Sequence, residues 1–187
     1  MKKTLKNTGI LLAITLVAVT ALAFVYELTL QPIARAEQAQ KAAAYQQVYE
    51  TAASFDTCLD AAALQAFNAA RTDGSSVEEI LAAKDAAGET LGYVLTAIST
   101  KGYGGEIKLA LGIDKTGAVV GYAVLSHSES PGFGANCENA DVREQFIGIH
   151  SADEVDGISG ATYTTKALKQ ETAAALELVA QMGGEHG

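Results

Sequence analysis

A seven-residue segment near the carboxyl end of the chain is the part of the sequence best suited to chemistry. Residues 156–162 read Asp-Gly-Ile-Ser-Gly-Ala-Thr, and they open on an Asp-Gly turn dipeptide. Gly160 and Ala161 are too small to shield a neighbouring side chain, and an amphipathic helix is predicted to begin within a few residues. A phosphate ester on Thr162 would lie at the positive end of that helix. The segment therefore predicts a threonine hydroxyl that is presented for modification.

Two glycine-containing segments lie upstream of this hydroxyl. Residues 102–105 read Gly-Tyr-Gly-Gly, and residues 127–134 read His-Ser-Glu-Ser-Pro-Gly-Phe-Gly. The first segment can bring backbone close to a ligand, and it also fits a plain loop into the next strand. In the second segment Glu129 precedes Pro131, where a carboxylate serves either a binding site or a cap on the short helix that follows. Both interpretations of each segment stay open.

The three segments together resemble the FMN-binding domain found in the G subunit of the Rnf electron-transport complex and in its relative, the C subunit of the Na+-translocating NADH:quinone reductase. In that family a motif Asp-x-x-Ser/Thr-Gly-Ala-Thr carries FMN through a phosphoester bond on its final threonine, which is Thr162 here. A dedicated flavin transferase that uses FAD and a divalent metal installs the flavin. The family has threonine where this chain has Ser130, so a hydroxyl is retained at that position.

The resemblance implies a covalently bound FMN whose ring is held by apolar walls and a few hydrogen bonds. Tyr103 and Phe133 are candidates to stack on the ring, and each also fits a place in the core. No nucleophile with an attendant base, metal-ligand pattern or dinucleotide phosphate loop is visible, so electron transfer is expected rather than bond chemistry. The residues expected to bind the cofactor are Thr162, Asp156, Ser159, Gly160, Ala161, Thr164, Thr165, Tyr103, Glu129, Ser130, Pro131, Gly132, Phe133 and Gly134.

The same resemblance implies a role within an ion-translocating ferredoxin:NAD oxidoreductase complex. Electrons would pass through the FMN, while partner proteins of the complex would carry the iron–sulfur centres, further flavins and the ion path. The coupling ion, Na+ or H+, and the direction of electron flow are left open by the sequence. Three alternatives are the C subunit of the quinone reductase, for which 187 residues is short, a free-standing anchored flavin carrier for extracellular electron transfer, and a binding module without flavin.

The amino-terminal segment predicts a membrane anchor. Residues 7–26 carry no charge and are long enough as a helix to span ~30 Å of hydrocarbon. Because Lys2, Lys3 and Lys6 precede the span, we expect a cytoplasmic amino terminus and an extracytoplasmic remainder. A cleaved signal peptide is the competing interpretation, since residues 21–23 read Ala-Leu-Ala. The apolar run continues past that point, which favours a retained, single-pass anchor in the cell membrane.

The exported part is strongly acidic. The 13 basic residues include the three leading lysines, so ten remain against 22 acidic residues, for a formal charge of −12. Such a surface argues against binding nucleic acid or docking on anionic lipid. Cys58 and Cys137 lie in this part, and a disulfide and two free thiols are equally open.

The pattern of hydrophobic residues predicts an α+β fold with a small twisted antiparallel sheet packed against helices. We expect an anchor over 1–28, a helical region over 29–88 and an FMN-binding domain over 89–187. Alternation of apolar residues predicts strands at Leu91–Ser99, Glu106–Asp114 and Ala118–His127. The expected helices are 32–53, with Pro32 in its first turn as a continuation from the membrane, Val77–Ala87, Ala140–Ile147 and Thr164–Met182.

Overall fold

The computed structural model describes residues 2–184 and divides them into two units, 2–40 and 41–184. The first unit lies within helix α1, Lys2–Val48, which is long and apolar enough to cross a membrane by length and composition. Pro32 lies inside α1 and does not open a separate helix, and the helix ends at Val48 and not at residue 53. Proline removes one backbone donor, and the good helix formers that follow it keep the helix intact.

The second unit is built on a five-stranded sheet in which every neighbouring pair is antiparallel, in the order β1-β2-β3-β4-β5. The α+β fold class predicted from the sequence is therefore confirmed. The strands are β1 Ser54–Thr57, β2 Ser75–Lys84, β3 Thr90–Ser99, β4 Ile107–Asp114 and β5 Val119–His127. The remaining helices are α2 Ala61–Ala69, α3 Ala140–Phe146 and α4 Thr162–Gly184, with short 3-10 turns at Gly134–Glu138 and Ala152–Glu154.

The helix predicted at Val77–Ala87 is wrong, because this segment forms most of β2. Its alanine, glutamate and lysine residues favour a helix locally. In the fold the segment pairs with β1 on one side and β3 on the other, so its backbone groups bond across strands. Ile80 packs on one face of the sheet and Leu81 on the opposite face. Cross-strand pairing and burial on both faces outweigh the helical propensity.

One face of the sheet packs against α3 and α4 and holds the larger core. Ile107, Leu109, Leu111 and Ile113 alternate along β4 and are all fully buried in this core, as their spacing predicts. Helix α4 contributes a buried stripe that includes Leu168, Ala175, Leu178, Val179 and Met182, whereas Leu176 is only half-buried. Helix α4 thus packs along β2, β3 and β4.

The opposite face of the sheet is covered by the last turns of α1. Tyr45 and Val48 are buried there against alanines and aliphatic residues of β2 to β5. Gly112 and Gly121 are cross-strand partners, and a Cβ built at Gly121 would lie 2.0 Å from the Val48 carbonyl oxygen. The absence of side chains at these two positions is what lets the α1 backbone approach the sheet.

Candidate functional site

The 156–162 segment forms an irregular turn that delivers the chain into α4. Gly157 has φ +108° and Gly160 has φ +76°, a region that favours glycine. The Gly157 N–H donates to the Gln145 side-chain oxygen over 3.0 Å, and the Ile158 N–H donates to Thr165 Oγ1 over 2.9 Å. A Cβ at Gly157 would lie 2.4 Å from Thr165 Cγ2. The Thr165 side chain thus stabilises the turn, and the backbone conformation of the turn requires glycine at positions 157 and 160.

Thr162 is the first residue of α4, and its side chain is exposed. The predicted helix began two residues later, so the hydroxyl lies at the helix start and not ahead of it. The first N–H groups of a helix lack intrahelical acceptors and carry a partial positive charge. A phosphoryl group on the Thr162 oxygen would therefore meet a favourable field from a 23-residue helix.

A cavity of about 520 Å³ opens beside Thr162. It gathers ten of the fourteen predicted residues, and it adds Tyr163, which is not among them. The predicted residues that do not line the cavity are Asp156, Ser159, Gly132 and Thr165. Asp156 and Ser159 are exposed in the turn, and Thr165 braces that turn. The lining is Tyr103, Glu129, Ser130, Pro131, Phe133, Gly134, Gly160, Ala161, Thr162, Tyr163 and Thr164.

Glu129 ties three segments together at the floor of this cavity. Its side chain is buried, and its Oε1 accepts from the Gly104 N–H over 2.8 Å while its Oε2 accepts from the Thr164 hydroxyl. Thr164 is itself 1% exposed. A Cβ at Gly134 would lie 2.3 Å from Glu129 Oε2, so glycine is required for this carboxylate to reach α4. Glu129 therefore joins the β3–β4 loop, the segment after β5 and the first turn of α4.

Three exposed aromatic side chains surround the mouth of the cavity. Tyr103, Phe133 and Tyr163 are 72%, 58% and 66% exposed, which is unusual for large apolar groups unless they serve a surface or a ligand. The Tyr103 and Tyr163 rings lie 6.4 Å apart between centroids at an interplanar angle of 44°. Of the alternatives that the sequence left open for Tyr103 and Phe133, a place in the core is excluded by this exposure.

FMN fits the residues present. The cavity volume lies in the range of about 300 to 1,000 Å³ that is typical of small-molecule sites. The helix start at Thr162 suits the phosphate end, and the aromatic rim with Pro131 suits a flat conjugated ring. The signal that would have identified Tyr163 is its position directly after the threonine, on the first turn of the helix.

Both cysteines are free thiols. Cys58 is half-buried beside β2, and Cys137 is fully buried in the 3-10 turn after the Pro-Gly segment. Burial raises the pKa of the Cys137 thiol to about 12 and also raises that of Cys58. Burial thus disfavours the thiolate form of both cysteines.

Two family models match this chain. The model described as an FMN-binding domain matches residues 102–177, and the model described as an RnfG N-terminal region matches residues 1–48. The first match contains the whole cavity lining.

Several curated proteins are similar to the chain. The G subunit of an ion-translocating oxidoreductase complex from Aliivibrio fischeri is 30% identical over 187 residues, which covers 90% of this chain and 87% of that protein. Its counterpart from Methanosarcina acetivorans is 27% identical and covers 93% of each chain. The G subunit of a proton-translocating ferredoxin:NAD(+) oxidoreductase complex from Clostridium ljungdahlii is 33% identical over 107 residues, and that match spans only 57% of its length. Among solved structures, that of Shewanella oneidensis NqrC is similar to this chain. The superposition covers 74% of this chain and 74% of NqrC, with a TM-score of 0.48 and 15% sequence identity.

Proposed function

The chain belongs to the family of G subunits of ion-translocating oxidoreductase complexes, and from this premise we propose that it relays electrons through FMN bound covalently to Thr162. The relay operates within an Rnf-type ferredoxin:NAD oxidoreductase complex, whose other subunits supply the iron–sulfur centres and the ion path. The match of residues 1–48 to an RnfG N-terminal region favours this complex over the Na+-translocating quinone reductase.

The observation that carries the proposal is the exposure of the Thr162 hydroxyl at the start of α4, on the rim of a cavity with three aromatic side chains. Thr164 and Thr165 have hydroxyls within one turn, but each is already engaged. Thr164 donates to Glu129, and Thr165 accepts from the Ile158 N–H. Thr162 is therefore the threonine in this turn best placed for modification.

Attachment requires a second protein. In the proposed step the Thr162 oxygen bonds to the phosphorus of the FMN half of FAD and gives up its proton to a base of the transferase or to solvent, while the pyrophosphate P–O bond breaks and AMP leaves with the electron pair. A flavin transferase with a divalent metal supplies the catalysis, as the family resemblance implies. Gly160 and Ala161 carry no bulky side chain, so they leave the hydroxyl open to that enzyme.

The residues of this chain hold and orient the cofactor once it is attached. Bound FMN supplies a centre that takes up or passes on one or two electrons. Tyr103, Phe133 and Tyr163 shield its ring from water, and Glu129 keeps the loops that carry two of these rings at a fixed distance from α4. Rigid positioning of this kind preserves the distance to the neighbouring redox centre.

The apolar part of α1 anchors the cofactor domain on the extracytoplasmic side of the membrane. Lys2, Lys3 and Lys6 precede the apolar part of α1, which favours retention of the amino terminus in the cytoplasm. The domain that carries Thr162 then faces the extracytoplasmic side, as a single-pass membrane protein.

Substitution of Thr162 tests the proposal. After co-expression with a flavin transferase, we expect the wild type to retain flavin fluorescence in a denaturing gel and Thr162→Ala to lose it completely. Thr162→Ser keeps a hydroxyl and should retain partial labelling. Ser126→Ala is the control, because Ser126 is an exposed serine that lies outside the motif and does not line the cavity. Retained labelling in Thr162→Ala, with the flavin located on another residue by peptide mass spectrometry, would refute the assignment.

A further inference from the structure

Helix α4 buries a carboxyl group in the face that it packs against the sheet. Glu171 is fully buried, and within residues 2–184 neither of its carboxyl oxygens has a hydrogen-bond partner. It shares this face with Thr164 and Leu168 before it and with Ala175 and Leu178 after it. Polar groups at such depth are normally paired, so an unpaired carboxyl at the centre of the helix needs an explanation.

The surroundings of Glu171 disfavour a negative charge there. Glu106, just before β4, opposes ionisation of Glu171, and a charge on Glu171 would in turn raise the pKa of Tyr122 on β5 and of Cys137 in the 3-10 turn. The Ser99 backbone at the end of β3 favours the ionised form but does not reach bonding geometry. Burial outweighs that contribution and raises the pKa of Glu171 well above its ordinary value.

Glu171 lies near two elements that line the Thr162 cavity, helix α4 and the loop between β3 and β4. Ser99 and Glu106 flank the loop between β3 and β4, and this loop carries Tyr103 and the Gly104 N–H that binds Glu129. Glu171 itself lies on the helix that begins with Thr162, seven residues after Thr164, or about 10 Å along the helix axis. The carboxyl therefore lies near both ends of the loop that forms the opposite wall of the cavity.

We propose that Glu171 is a positioning residue for the Thr162 cavity and that it acts by retaining a proton. As a neutral acid it allows α4 to pack against the roots of the 100–106 loop. When the O–H bond breaks and the proton passes to solvent, the carboxylate must be hydrated, and α4 separates from the loop. The proposal rests on the proposed function only in taking this cavity as the cofactor site.

The pH dependence of unfolding tests the retained proton, using full-length flavin-free protein in detergent. Above the ordinary pKa of 4.5 the unfolded chain releases the Glu171 proton while the folded chain keeps it. Folding stability contributed by the protonated group is therefore lost as pH rises from that value toward the folded pKa. The ratio of the folding constant of Glu171→Gln to that of the wild type should rise about tenfold for each pH unit in this window.

Hydrogen exchange of the 100–106 amides, compared between variants at the same alkaline pH, reports on the cavity. We expect the wild type to lose protection there while Glu171→Gln keeps it, with α2 amides exchanging equally in both. Glu177→Gln is the matched control, because Glu177 is on the same helix but exposed and paired with Arg71; it should follow the wild-type pH slope. If Glu171→Gln does not fold, Glu171→Met carries the same expectation.

Parallel pH slopes for the wild type and the neutral variant would overturn the proposal, as would equal protection of the 100–106 amides. Because the protein contains no flavin in these measurements, their outcome is independent of whether Thr162 carries FMN.

Discussion

Three threonines in the first turn of α4 share a residue type and differ in what their hydroxyls contact. The Thr162 hydroxyl is exposed at the cavity. The buried Thr164 hydroxyl donates a hydrogen bond to Glu129, and the Thr165 hydroxyl accepts one from the Ile158 N–H in the turn that precedes the helix. Helical geometry causes this difference, because successive residues are rotated by about 100° around the axis. A run of similar residues thus supplies one group for modification and two for support.

The substitution Glu129→Gln distinguishes covalent attachment of the flavin at Thr162 from the environment of the flavin ring in the cavity. The Gln oxygen still accepts from Gly104 and its amide group donates to Thr164, so covalent flavin on Thr162 should be retained. A nearby carboxylate disfavours a reduced flavin that carries negative charge, so its neutralisation should raise the midpoint potential in a redox titration followed by absorbance.

The control for this prediction is Glu138→Gln. That carboxylate is 60% exposed and contacts His127 outside the cavity, so solvent screening should leave a much smaller shift. An unchanged potential and unchanged flavin fluorescence in Glu129→Gln would place the 129–134 segment away from the ring.

At the scale of elements, the two faces of the sheet pack against different helices, α4 on one face and the end of α1 on the other, and they do so with different side chains. On the α4 face, large aliphatic side chains fill the space to the helix. On the α1 face, small residues and glycine let the helix backbone approach, and Tyr45 bridges the gap by hydrogen bonds to Glu79 and Thr96. Lys41 adds ion pairs to Glu78 and Glu79 at 2.9 and 2.7 Å. The end of α1 is therefore an integral part of the second unit.

Gly121→Ala should destabilise the fold. Its φ is not positive, so the cost is steric: the new methyl would lie 2.0 Å from a backbone oxygen of Val48, which cannot rotate away. Overpacking of this kind costs about 1 to 3 kcal/mol, measurable by urea denaturation. Gly183→Ala is the control, because its methyl meets no atom within 4 Å and a helical Ala is preferred to Gly. Equal or greater stability in Gly121→Ala would show that α1 does not approach the sheet this closely.

At the scale of the whole molecule, charge and hydrophobicity are segregated along the chain. The apolar part of α1 has lysines before it, and the remainder carries a formal charge of −12. An acidic charge of this size repels anionic surfaces, whereas the apolar part of α1 is long and apolar enough to cross a membrane.

Protease accessibility tests the proposed orientation. Protease added to intact cells or right-side-out vesicles should digest the domain that follows α1, because the leading lysines favour a cytoplasmic amino terminus. A cytoplasmic marker protein in the same preparation should stay intact, which verifies that the membrane is closed. Protection of residues 30–187 until detergent is added would reverse the orientation and place the domain in the cytoplasm.

Local patterns in the sequence were sufficient for several features of this protein. Alternation of apolar residues, clearest in β4, predicted β3, β4 and β5 within one residue at each end, since successive residues of a strand face opposite sides of the sheet. The α+β class followed from these strands and the periodic pattern of α4. The Asp-Gly and Gly-Ala dipeptides identified the turn ahead of Thr162, because their conformational preferences act within a few residues.

Only the tertiary structure decided which residues meet. Residues 77–87 prefer a helix locally, but 77–84 become part of β2 because β1 and β3 offer pairing on both sides. The link from Glu129 to Gly104 and Thr164 spans 25 and 35 positions, and no local pattern encodes it. The burial of Glu171 likewise depends on the sheet that covers α4. The periodicity of apolar residues predicts which way a side chain faces. Strand pairing, burial of polar groups and cavity shape instead depend on contacts between segments that are distant in sequence, and these contacts form only when the chain folds.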